Sequence, residues 1–234
     1  MRNPYMPLPR KSGHQFDAYG QPADPSPVFL YSDFSGTALG AEWAIVELSD
    51  EEETTLEPGG YFKISIGETG LTQPENGALD HGNIRTIDLN QGVLFETRVR
   101  IAVAPTASEI CWGLGSNHAA NKDAMGTSAW FRLQNSMALL VESDDTSNNN
   151  DDVATGTTLV LNEWHTYGID FRYLTDVKFF FDGARKGMGT TFNMTNLSST
   201  AALVQPYFSV SKGSNNSTAE INIDYVKIWH ERGA

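Results

Sequence analysis

Residues 162–183 read NEWHTYGIDFRYLTDVKFFFDG. Successive side chains of a strand point to opposite faces, so a period of two shows which face is buried. From Trp164, the residues His165, Tyr167, Ile169 and Phe171 share one face while Thr166, Gly168 and Asp170 share the other, which predicts a half-buried strand. After a break at Leu174 to Asp176, Val177, Phe179 and Phe181 line one face and Lys178, Phe180 and Asp182 the other. Asp182-Gly183 then supplies the positive-φ pair of a tight hairpin turn.

The same alternation recurs on both sides of this hairpin. The clearest strands are 61–66, 93–101, 110–114, 129–134, 137–142, 206–211 and 220–229, separated by clusters of Gly, Asn, Asp and Ser. In VLFETRVRI (93–101), Val93, Phe95, Thr97, Val99 and Ile101 share a face, and Leu94, Glu96, Arg98 and Arg100 the other, so one sheet has a polar face. About a dozen strands at this spacing, with no amphipathic helix and no internal repeat, predict an all-β, antiparallel sandwich or barrel.

With 234 residues, 40% of them hydrophobic and 11% aromatic, the chain has enough apolar mass for a real core. No stretch approaches the ~18 to 20 apolar residues of a membrane helix, and MRNPYMPLPRKSGHQFDAYG (1–20) lacks the apolar region of a secretory signal. Cys111 is the only cysteine, which rules out an intrachain disulfide and fits assembly in a reducing cytosol. Sixteen basic against 29 acidic residues, a net charge of −13, argue against nucleic acid as a partner because phosphate binding needs a basic stripe.

Six of the ten prolines fall before Val28, at positions 4, 7, 9, 22, 25 and 27, where no apolar periodicity exists. Residues 1–28 therefore read as an extended arm and 29–234 as the sandwich domain. The arm carries Arg2, Arg10 and Lys11 with no acid before Asp17, and Tyr5, Met6, Leu8, Phe16 and Tyr19 are its candidate apolar anchors for a partner surface.

The order of these pieces resembles the concanavalin A-like jelly roll of lectins and laminarinase-type glycosidases over about residues 29 to 230. The carriers are FSGTALGAEW (34–43), VLFETRVRI, EWHTYGIDF (163–171) with VKFFFDG (177–183), and INIDYVKIW (221–229). The resemblance implies a sugar-binding or sugar-cutting fold. The glycosidases cut with an E-x-D-x-x-E strand whose outer carboxyls stand ~5 to 5.5 Å apart. The corresponding strand here, SAWFRLQN (128–135), puts Trp130, Arg132 and Gln134 on one face and Ala129, Phe131 and Leu133 on the other, with no carboxylate on either. In VESDDTS (141–147), Glu142 and Asp144 match the first two motif positions, but Ser147 stands where the second Glu is required. The expectation is no catalytic residue, with Glu142 and Asp144 ending a strand in solvent.

ESDDTSNNNDDVATG (142–156) is rich in oxygen donors, and Asp144, Asp145, Asn148, Asn150 and Asp152 form a weak candidate calcium loop. Asn149 occupies the place of the EF-hand Gly and no Glu closes the loop, so 144–152 is expected to be a plain solvated loop without metal. The five histidines show no short ligand spacing. Trp112, Trp130 and Arg132 would serve a glycan if they faced an open groove, although the ordinary fate of Trp in a sandwich is burial.

The same jelly roll, with its Thr- and Asn-rich loops, is similar in style and strand order to lectin-like proteins of tailed-phage virions. That resemblance implies a non-enzymatic capsid decoration protein, assembled in the host cytoplasm and attached through its arm to a virion protein such as the major capsid protein. Copies of the chain are candidate partners for one another. The alternative is a glycan-binding module on a virion or cell surface.

Overall fold

Asp182 and Gly183 take φ values of 47° and 78°, and the turn they make joins two strands of an edge hairpin. The computed structural model describes residues 28–47, 52–67, 72–119 and 121–230. The arm residues 1–27 lie outside these, and so do the expectations placed on Arg2, Tyr5, Met6, Leu8, Arg10, Lys11, Phe16 and Tyr19. Val28, assigned to the arm by sequence, opens the first strand.

Along the chain the strands are β1 (Val28–Ser32), β2 (Ala44–Glu47), β3 (Glu53–Glu57), β4 (Tyr61–Ile66), β5 (Glu75–Asp80), β6 (Ile87–Asp88), β7 (Leu94–Val103) and β8 (Ser108–Gly115). They continue as β9 (Ser128–Gln134), β10 (Ala138–Asp144), β11 (Asn149–Thr158), β12 (His165–Asp170), β13 (Lys178–Phe181), β14 (Ala184–Lys186), β15 (Leu203–Lys212) and β16 (Ala219–His230). One sheet has the order β14-β13-β12-β7-β16-β4-β3, with β1 also paired to β16. The other runs β11-β10-β9-β8-β15-β5-β2, with β6 also paired to β15. Every pairing is antiparallel, so the chain is a β-sandwich of two antiparallel sheets.

The alternation read in the sequence sets the inward faces. Phe95, Thr97, Val99 and Ile101 of β7 are buried, while Glu96, Arg98 and Arg100 between them stay half-buried on the outside. Within the second sheet Trp112 of β8 stacks on its cross-strand neighbour Phe131 of β9 at 5.9 Å, and Tyr167 of β12 reaches across the sandwich to meet both rings edge-on at 5.0 Å. Phe179 of β13 adds a T-shaped contact to Phe131 at 5.5 Å. Such pairs contribute about 0.5 to 1.5 kcal/mol each beyond the area they bury, and the contacts of Tyr167 and Phe179 bridge the two sheets.

Two elements depart from the sequence expectation. The stretch 144–152 is not a solvated loop, because β10 extends to Asp144 and β11 begins at Asn149, leaving only Asp145 to Asn148 as the turn. β11, NNDDVATGTT, is a polar edge strand whose pairing with β10 shifts register twice, so no clean period of two was present to read. β5, ENGALD, is buried along its whole length although half of it is polar, because Glu75 pairs with Lys212 of β15 at 2.7 Å where both side chains are fully buried.

β8 and β9 approach closely at Gly113, which lies opposite Trp130. A Cβ there would stand 2.7 Å from Trp130 Cα and would also strike the carbonyl oxygen of Ala129. Backbone cannot yield as a flexible side chain does, so Gly113→Ala should lower the unfolding free energy by about 2 kcal/mol or more in a urea titration. A variant as stable as the wild type would mean that the two strands are not held this close.

Candidate functional site

The outer face of the second sheet gathers the residues that the sequence analysis singled out. The inward face of β9 is Ala129, Phe131 and Leu133, all in the main core, which leaves Trp130 and Arg132 pointing outward as the alternation requires. Neither reaches solvent. Trp130 is 1% and Arg132 3% exposed, because the segment between β8 and β9 lies over them. Met125 and Ala119 of that segment pack with Cys111, Trp130 and Tyr207 in a second, smaller core. Trp112 points the other way, into the sandwich. The candidate glycan-stacking residues Trp112, Trp130 and Arg132 are thus enclosed and present no open platform.

The carboxylates missing from β9 arrive from its neighbours. Arg132 donates from Nη2 to Glu109 Oε2 at 2.5 Å, and from Nη1 to Glu142 Oε1 at 2.5 Å and Asp123 Oδ1 at 3.0 Å, with Asp152 Oδ1 at 3.6 Å. Trp130 Nε1 donates to Glu142 Oε2 at 2.6 Å. Glu142 therefore does not end a strand in solvent as expected: it is 3% exposed, and both its oxygens are engaged. Asp144, at the end of β10, is half-buried and accepts from the backbone N–H of Thr146 at 2.6 Å.

Electrostatics follow from this enclosure. Burial raises the Glu142 carboxyl to about 7, against the lowering pull of Arg132 and the Trp130 N–H. Burial alone would lower Arg132, and Glu109 and Glu142 hold it above its ordinary value instead.

Beside this cluster lies a second one that the sequence did not announce. Asp80 of β5 is fully buried, and its Oδ2 stands 3.7 Å from His118 Nδ1. His118 Nε2 is 3.2 Å from Asn76 Nδ2, and Asn76 Oδ1 accepts from Lys122 Nζ at 3.4 Å. Burial raises Asp80, lowers His118 to about 4 and lowers Lys122. Alternation along ENGALD would have placed Asn76 and Asp80 on one face; nothing in the sequence of 116–127 shows that His118 and Lys122 fold onto it.

The oxygen-rich turn is closed by the protein itself. Asp145 is buried, with Oδ1 accepting from the N–H groups of Ser147 and Asn148 and Oδ2 from Asn148 Nδ2 and the Asn196 N–H. Burial would raise its carboxyl, and these donors hold it below the ordinary value. Asn150 donates to Ser143 and Asp152 faces Arg132, so of the five candidate ligands Asp145 and Asn148 bond each other and the other three point elsewhere. Among the described residues no group of three or more His, Cys, Asp or Glu side chains converges as a metal site. An open groove of about 440 Å³ between 153–156 and 185–190 is lined by neither aromatic nor carboxylate side chains.

Two outcomes follow. A carboxyl whose folded pKa lies above its unfolded value stabilises fully below the unfolded pKa, and that contribution is lost as pH rises through the folded one. For Glu142 that window runs from 4.5 to about 7. His118 acts in the opposite sense, losing stability as pH falls from 6.5 to about 4. The wild-type melting temperature should therefore fall relative to that of Glu142→Gln as pH rises across 4.5 to 7, and parallel curves would refute the assignment. Melts in calcium and in chelator should coincide; a calcium-dependent rise of several degrees would show an ion bound to the native state.

No protein-family model and no curated protein matches the chain. Solved structures do. One, from work on endo-acting O-glycanases that prominent members of the human gut microbiota express to initiate mucin breakdown, has a TM-score of 0.63 at 14% identity, covering 87% of this chain and 99% of that one. The Emp47p carbohydrate recognition domain has a TM-score of 0.58 at 14% identity, covering 86% and 94%. Rv0315 of Mycobacterium tuberculosis, described as an immunostimulatory antigen and pseudo beta-1,3-glucanase, has 0.52 at 11%, covering 87% and 98%. At these identities the likeness is one of fold, and that fold is the concanavalin A-like lectin/glucanase sandwich.

Proposed function

We propose that the protein is a non-enzymatic interaction module, carried on a virion as a capsid decoration protein and attached through its N-terminal arm to another virion protein such as the major capsid protein. The observation that carries the non-enzymatic part is the position of Arg132. Retaining hydrolysis needs two carboxyls ~5 to 5.5 Å apart with the sugar's anomeric carbon between them. The facing carboxylates of this sheet, Glu109 and Glu142, have the Arg132 guanidinium between them, 2.5 Å from each, under a cover of protein. The attachment rests on the arm's composition, basic at its start in an acidic chain.

A glycan-binding reading is favoured by the shared fold and by one feature of the first sheet. There Trp164 and Tyr61 lie half-buried with ring centroids 6.0 Å apart, and the Arg98 and Arg100 guanidinium groups stand 5.1 and 4.8 Å from the Trp164 ring.

Co-sedimentation with particles lacking the protein tests the proposal. Full-length chain should pellet with them, and a chain lacking residues 1–27 should melt normally but remain in the supernatant. Full binding by the truncated chain would remove the arm as the tether. Neither form should release reducing ends from laminarin or lichenan, and release abolished by Glu142→Gln would overturn the non-enzymatic reading.

A further inference from the structure

We propose that Lys122 and Asn76 join in an intramolecular isopeptide bond, the side-chain amine displacing the side-chain amide nitrogen as ammonia. The two groups meet in a water-poor setting, Lys122 being 2% and Asn76 4% exposed. Lys122 Nζ lies 3.4 Å from Asn76 Oδ1, within reach of the carbonyl carbon behind it after a small shift. Its other hydrogen-bond partner is the Ala119 carbonyl at 3.0 Å, and no carboxylate forms an ion pair with it among the described residues. Burial favours the neutral amine, which is the nucleophilic form.

The amide is held in one orientation. An ammonium or amine facing the amide by donation requires Oδ1 on the Lys122 side, which turns Nδ2 toward His118 Nε2 at 3.2 Å. Because Nδ2 only donates, Nε2 accepts, and the ring proton of neutral His118 sits on Nδ1, facing the buried Asp80 carboxyl at 3.7 Å. Two further bonds fix the parts: the backbone N–H of Asn76 donates to Glu52 at 2.6 Å, and that of His118 to Asn83 Oδ1 at 2.7 Å.

The step balances without an added reagent. The Nζ lone pair forms the new bond to Asn76 Cγ, the Cγ–Nδ2 bond breaks, and the proton that Nζ gives up is the one Nδ2 needs to leave as ammonia. His118 Nε2, beside Nδ2, relays that proton, with Asp80 steadying the imidazole when it is charged. Both residues end in the protonation state in which they began. The product would tie the segment over the outer face to β5 across 46 positions of sequence.

Intact-mass and peptide mass spectrometry of the folded full-length protein tests this. The wild type should weigh less than the sum of its residues by one ammonia, and digestion should yield one peptide pair joined through Asn76 and Lys122. Lys122→Arg should show the full mass with no joined pair, and His118→Ala should slow the joining in folded protein. Asn76-Gly77 is also prone to close on its own backbone with loss of ammonia. An ammonia deficit confined to the peptide that contains Asn76 would therefore overturn the proposal, as would full mass in folded wild-type protein after prolonged incubation.

Discussion

A guanidinium withdrawn from water costs several kcal/mol unless charge answers it at close range, and Arg132 is withdrawn almost completely. Its partners come from four places: Glu109 on β8, Glu142 on β10, Asp152 on β11 and Asp123 in the segment that lies over the sheet. That last partner couples two features that look separate. The segment covering the face also supplies a countercharge for what it covers, so lifting it would expose Trp130 and Tyr207 and weaken the neutralisation of Arg132 in one motion. The outer face of this sheet is thereby part of the interior.

The sheet faces were legible in sequence because a strand's period of two depends only on local geometry. Tyr167, Ile169 and Phe171, and the Asp182-Gly183 turn, lie where that period puts them. What covers a face is not local. Sequence places Glu142 in solvent because a carboxylate at a strand end normally is exposed; its burial depends on Arg132 one strand away and on a covering segment, SNHAANKDAMGT, that has no apolar period. β11 reads as a loop in sequence for a related reason, since an edge strand with one neighbour and two register shifts does not need alternating side chains. The Asp80, His118, Asn76 and Lys122 cluster draws on positions up to 46 residues apart, and only the folded chain brings them together.

The structural neighbours include a protein from work on endo-acting O-glycanases, a carbohydrate recognition domain and a protein named a pseudo beta-1,3-glucanase, all at 11 to 14% identity. One scaffold hosting such different roles is the usual pattern for a common fold, in which function resides in the side chains of a site and not in the strand order. On the outer face of one sheet in this chain, a few residues form a closed, internally compensated cluster.

The strand order also dictates when the molecule can fold. β16 pairs with β1, β4 and β7, and β15 with β5, β6 and β8, so the two strands that come last in the order of the described sandwich occupy the middle of the two sheets. A nascent chain ending before residue 203 has two sets of strand edges with nothing between them. Such a topology delays folding until both strands have emerged, with many long-range pairings to close at once and slow folding as the result. Until that closure, the open edges of β4, β5, β7 and β8 are templates for pairing with other chains. Translation that stalls within the last strands would therefore leave an aggregation-prone chain in place of a partly folded one.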